Sequence, residues 1–99
     1  MHDQLLEIRI EPLGEALTLG WRTAGAASLA APALRRACRC AACERARRDG
    51  REAPIGEQIR ITRVTPMGSN AINIGFSDGH DHGIYPFAYL DLLSRPGSA

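Results

Sequence analysis

The sequence predicts a small α+β domain: a β-rich fold of short antiparallel strands, two or three short helices, and one metal site pinning them together. Three observations lead there. Apolar and polar residues alternate over several short stretches in both halves of the chain, which is the period of half-buried strands. Prolines and glycines punctuate those stretches at turn spacing, and two of the prolines stand where short helices would begin. All three cysteines fall within the six positions Cys38-Arg39-Cys40-Ala41-Ala42-Cys43, a density that packing alone does not explain.

Taken in order, Leu5 to Glu11 alternates from Leu6 onward and predicts a strand with Leu6, Ile8 and Ile10 facing inward. Pro12-Leu13-Gly14-Glu15 is a turn. Ala16 to Trp21 alternates again with Leu17, Leu19 and Trp21 on one face, so the first two strands form a hairpin. Thr23-Ala24-Gly25 is the next turn. Ala26 to Ala30 follows as a third short strand, although alanine has little strand preference. Pro32 suits the first turn of a short helix that runs to Ala37 and delivers the chain to Cys38. Ala41 to Arg48 has high helix propensity and stops at Asp49-Gly50. Gly50 to Gly56, with Pro54, reads as a mobile loop.

In the second half, a strand from Glu57 through Val64 turns Ile59 and Ile61 inward. Pro66 to Asn70 is a turn, and Ala71 to Phe76 is a strand with Ile72, Ile74 and Phe76 on one face. Asp78-Gly79 is a strong hairpin signal, His80 to Tyr85 is the returning strand, and Pro86 opens a helix from Phe87 to Leu93. Ser94 to Ala99 reads as a loose tail. Both halves show a proline-apolar-glycine turn, a strand ending in an aromatic, a further strand, a proline and a helix. The sequence therefore suggests a strand-strand-strand-helix unit used twice.

The chain has 99 residues, of which 44% are hydrophobic and 23% charged, which is the composition of a single globular domain spanning residues 1–99. A domain this small gains from a tether such as a metal ion. No apolar run is long enough to span a bilayer, and the first residues lack the basic and apolar regions of a secretory signal. Three thiols cannot pair off into disulfides within the chain, so a reducing, cytoplasmic setting is expected. Lysine is absent, and Arg35 to Arg51 holds seven arginines against Glu44 and Asp49. Such a patch suits RNA or an acidic partner, or serves only to offset thiolate charge. No aromatics interleave with the arginines as a base-stacking platform requires, which argues against nucleic acid.

Thiolates are soft ligands, and Cys40-Ala-Ala-Cys43 has the spacing at which one turn grips one zinc ion. Cys38 adds a third sulfur. A tetrahedral site needs a fourth ligand, and His80-Asp81-His82 offers one. In an extended segment both histidines face the same side, so either could reach the metal, but the turn at Asp78-Gly79 fixes His80 more firmly. The working reading is therefore a structural Cys3His zinc site of Cys38, Cys40, Cys43 and His80. An iron–sulfur cluster normally takes four cysteines, and a redox Cys-x-x-Cys wants a thioredoxin-like context. Asp78 is accounted for by its turn, Ser69 and Ser77 have no neighbouring base, and there is no phosphate-cradling glycine loop or facial triad. No catalytic constellation is expected in this chain. Trp21, Phe76, Phe87 and Tyr89 are read as core.

Leu34-Arg35-x-x-Cys38-x-Cys40-x-x-Cys43, with Phe76-Ser-Asp78-Gly79-His80 and Gly83-Ile84-Tyr85-Pro86-x-x-Tyr89-Leu90, resembles the gamma-butyrobetaine hydroxylase-like N-terminal domain family. The resemblance covers nearly the whole chain. It implies a Cys3His zinc site at Cys38, Cys40, Cys43 and His80. In the family's oxygenase members the domain precedes a 2-oxoglutarate- and iron-dependent catalytic domain. Other members are small stand-alone proteins of unknown function, or are fused to Mrp-type iron–sulfur carrier ATPases. For this chain the resemblance implies a small stand-alone member: a non-catalytic zinc-binding module for protein contacts, with iron–sulfur protein maturation as its most specific setting. The alternatives are a detached accessory domain of such an oxygenase, and an RNA-binding module using the Arg35 to Arg51 patch. A protein partner is expected; a membrane or a small-molecule substrate is not.

Overall fold

The structure, a computed structural model, describes residues 2–51 and 54–95. Part of the Gly50 to Gly56 loop and the tail beyond Arg95 lie outside the described residues. Strands β1 (Leu5–Ile10), β2 (Ala16–Trp21) and β3 (Gly25–Ala30) form one antiparallel sheet in that order. Strands β4 (Ile61–Met67), β5 (Ala71–Phe76) and β6 (Gly83–Pro86) form a second, also antiparallel and in chain order. Helix α1 (Ala31–Arg36) follows the first sheet and α3 (Phe87–Ser94) follows the second, so the strand-strand-strand-helix order occurs twice. Helix α2 (Ala41–Arg48) lies between the two units and carries the cysteines' second half. The proline at the first turn of α1 and at the N-cap of α3 is where a residue without an N–H costs nothing.

The two middle strands supply the heart of the core. Leu17, Leu19 and Trp21 of β2 and Ile72, Ile74 and Phe76 of β5 are all buried, as their alternation predicts. Ala31 and Leu34 of α1, Ile59, Ile61, Tyr85, Leu90 and Cys38 join them in one continuous cluster. The core is thus shared by both halves and includes one thiol.

Four strand expectations are corrected. Strand β4 begins at Ile61 and not at Glu57. In β1 a bulge between Leu5 and Glu7 shifts the register, so Leu5 packs against the core along with Ile8 while Leu6 is exposed; Ile10, at the strand's last position, is exposed as well. Because side chains alternate with a period of two, one extra residue reverses the faces before it. Pro66 does not begin a turn: it lies inside β4, paired with Ile72. The order β4-β5-β6 makes β4 an edge strand, where a proline is tolerated. The returning strand starts only at Gly83, not at His80, so residues 77–82 form a wide hairpin loop.

Gly14 is where the first unit's turn abuts the second sheet. It has φ +70°, and a Cβ there would lie 2.2 Å from the carbonyl oxygen of Ile61. Gly68 occupies the corresponding turn of the second unit at φ +65° with open space around it. We expect Gly68→Ala to cost about 1–2 kcal/mol for the left-handed backbone alone. Gly14→Ala should cost at least twice that, because backbone must also move. Urea unfolding of the two variants checks this, and equal losses would contradict the close approach.

Candidate metal centre

The site is built where α1 ends. A helix terminus leaves carbonyls without intrahelical partners, and two tyrosines from the other half take up carbonyls of this one. The hydroxyl of Tyr85 in β6 donates to Leu34 O at 2.6 Å, and that of Tyr89 in α3 donates to Ala37 O at 2.7 Å. Their rings lie side by side with centroids 6.2 Å apart. They fix the exit of α1, and the next residue is Cys38, which is fully buried. Gly83 makes the room: a Cβ at that position would sit 2.9 Å from Cys38 Sγ and 2.9 Å from the Tyr85 ring.

Cys40 occupies the N-cap of α2 and Cys43 lies in its first turn, so the Cys-x-x-Cys spacing brings both sulfurs to one side. His80 comes from the hairpin loop. Asp78 Oδ1 accepts its backbone N–H at 3.0 Å, its carbonyl accepts from Phe76 N at 2.9 Å, and Gly79 takes φ +84° to close the turn. Nε2 of His80 then stands 3.2 Å from Cys38 Sγ and 3.6 Å from both Cys40 Sγ and Cys43 Sγ. All four donor atoms lie within 4.8 Å of one another. A tetrahedral zinc ion with bonds of about 2.3 Å to sulfur and 2.0 Å to nitrogen requires S···N edges of about 3.6 Å. Two edges match, and the third is shorter by a few tenths of an ångström. The group could therefore hold one metal ion. His82 is not part of it: its side chain is 74% exposed, and only its ring edge approaches His80, at 5.7 Å between centroids.

Electrostatics suit this role. Burial, helped by Arg35, lowers the His80 pKa, so near neutral pH the ring is neutral and has a lone pair to give. Burial pushes the Cys38 thiol up to about 12, with the neighbouring sulfurs adding to the effect. Cys40 shifts downward: burial opposes this, but the backbone N–H of Cys43 and the Cys43 and Cys38 thiols outweigh it. Metal binding would have to displace these protons.

Sequence reasoning missed the supporting groups. Arg35 Nε donates to Asp78 Oδ2 at 2.9 Å, and its Nη1 reaches Cys43 Sγ at 3.6 Å, with the side chain 15% exposed. The ion pair joins residues 43 apart in sequence, directly beside the ligand group. Asp78 is thus more than a turn residue. Tyr85, a buried residue with a hydroxyl to satisfy, was the available signal for the second support. The arginine patch is largely spoken for: Arg35, Arg36, Arg47 and Arg51 face Asp78, Glu57, Glu44 and Asp49.

The sequence model of the family described as gamma-butyrobetaine hydroxylase-like, N-terminal, matches residues 8–91. Among solved structures, the chain is similar to a protein of unknown function from Acidithiobacillus ferrooxidans, assigned to the DUF971 family. The two are 29% identical with a TM-score of 0.73, over 92% of each chain. A second structure, solved by NMR in solution, shares the fold with a TM-score of 0.71 and 24% identity, over 95% of this chain and 74% of that one. No curated protein matches the chain. Among the described residues no helix is long and apolar enough to cross a membrane.

The three thiols should differ in reactivity when no metal is bound. At pH 8 the Cys38 thiol, with a pKa of about 12, is buried and protonated. We expect iodoacetamide to alkylate it at least about a hundredfold more slowly than Cys40, since the thiolate is the nucleophile. In Gly83→Ala the displaced Cys38 should react much faster. Peptide mapping after timed alkylation checks both, and equal rates for all three thiols would refute the geometry.

Proposed function

This chain belongs to the gamma-butyrobetaine hydroxylase-like, N-terminal family, and we propose from that premise that it works as a non-catalytic, zinc-pinned module for protein contacts. The observation that carries the reading is the convergence of three sulfurs and one imidazole nitrogen at tetrahedral spacing. Three thiolates and a histidine favour zinc over magnesium or calcium, which prefer oxygen ligands. Cys38, Cys40, Cys43 and His80 would hold the ion. When bound, zinc would supply a cross-link between the two halves of the chain. Four protein ligands leave no coordination position for water or substrate, whereas a catalytic zinc keeps one open. This supports a structural role.

The family's fusions to Mrp-type iron–sulfur carrier ATPases favour iron–sulfur protein maturation as the setting. A second reading, a detached accessory domain of a 2-oxoglutarate- and iron-dependent oxygenase, rests on the family's own description. Affinity purification separates them: iron–sulfur carrier proteins in the bound fraction support the first reading, and an oxygenase supports the second.

Protein prepared without chelator should contain about one equivalent of zinc by elemental analysis. His80→Ala should lower zinc affinity at least about a hundredfold, while His82→Ala changes it less than about twofold. The reverse pattern, or metal-free protein of full stability, would overturn the assignment. Arg35→Gln removes a donor to Cys43 and the partner of Asp78, and should weaken zinc binding about tenfold. Competition with a chromophoric chelator reads all three variants, and unchanged affinity in Arg35→Gln would remove it from the site.

A further inference from the structure

Beside the ligand group, α1, α2, β3 and α3 enclose a second feature, a groove of about 610 Å³. Its floor is apolar, with Leu29, Ala33, Tyr89 and Leu93. Arginines 36, 39 and 47 stand on its rim with one acidic residue, Glu44. Arg36 pairs with Glu57 and Arg47 with Glu44, so both are already engaged. Arg39 differs. Its guanidinium carbon lies 4.2 Å above the centre of the Tyr89 ring, and no carboxylate pairs with it among the described residues. Tyr89 is itself anchored through its hydroxyl to Ala37 O. Stacking on a fixed ring orients a guanidinium while leaving its in-plane N–H groups free for a carboxylate.

We propose that this groove docks a segment of a partner protein in which an acidic side chain sits beside apolar ones. The acid would meet Arg39 and its apolar neighbours would cover Leu29, Ala33 and Leu93. This deepens the reading of the chain as a protein-contact module and rests on it. The volume falls in the range of real binding sites, and the rim's positive excess complements an acid. Nucleic acid fits poorly: the one aromatic face in the groove is already covered by Arg39, so no base can stack there.

The test is an NMR titration of the full, zinc-loaded, nitrogen-15-labelled chain with a hexapeptide alternating glutamate and leucine. Amide shifts should concentrate at Leu29, Ala33, Ala37 and Leu93. The same peptide with glutamine for glutamate should bind at least about tenfold more weakly, and so should the acidic peptide to Arg39→Gln. Should Arg39→Gln disturb the metal site, Ala33→Glu decides: it leaves the ligands alone, puts a like charge in the groove, and should also lose at least about tenfold. The proposal is overturned by no binding up to about 1 mM peptide, by shifts centred elsewhere, or by unchanged affinity in both variants. It is equally overturned if hexauridylate or free 4-methylpentanoate fills the groove as tightly as the peptide. Zinc uptake is measured when the chain is loaded: a chain that takes up no zinc yet binds the peptide contradicts the metal reading and leaves the groove standing.

Discussion

Everything around the candidate metal centre depends on one meeting: the C-terminal end of α1 against the hairpin loop between β5 and β6. Cys38 leaves the first, His80 sits in the second, and they are 42 residues apart in sequence. Side chains of the protein span the meeting. Tyr85 and Tyr89 bind the carbonyls of Leu34 and Ala37, and Arg35 binds Asp78, each bond running from one half of the chain to the other. Carbonyls at a helix end and a buried hydroxyl both need partners, and here each satisfies the other. Cys38 and His80 are thereby placed before any ligand from α2 arrives, and preorganisation of this kind is what a tight metal site requires.

The division of labour follows from magnitudes. Cross-linking a loop of this length removes unfolded-state entropy worth roughly 4 kcal/mol. Burying one leucine- or isoleucine-sized side chain contributes about 1.5–3 kcal/mol, and β2 and β5 alone bury Leu17, Leu19, Ile72 and Ile74 completely or nearly so. The sheets therefore have their own source of stability. The two halves are nonetheless not independent of each other, because their strands feed a single core. Helix α2 is different: it buries no residue, so beyond Cys38, which the core holds, the segment rests mainly on the partly buried Cys40 and Cys43.

What was legible in the sequence was what depends on short-range chemistry. Three sulfurs in six positions and a histidine after Asp78-Gly79 mark a candidate metal group locally. The middle strands alternate cleanly because one face of each packs on the core. The bulge in β1 was hidden because Leu5 and Leu6 are both apolar, so pattern alone cannot say which faces inward. Pro66 read as a turn because its tolerance depends on β4 being an edge, a property of the assembled sheet. Arg35 looked like one of many arginines; only the fold shows that it is mostly buried and spans the ligand group. Tyr89 was placed in the core, which it flanks, but its hydroxyl and its stacked Arg39 became visible only in three dimensions.

On the proposed reading, the ligand group ties α2 and the histidine loop to a sheet core that stands without it. Amide hydrogen exchange of the zinc-loaded chain, with and without a chelator, tests this most directly. Protection should fall in residues 38–50 and 77–83 on metal removal, while β2 and β5 keep most of theirs. If β2 and β5 lost protection as completely as the cysteine segment, the ion would be holding up the whole domain and the sheet core would not stand without it.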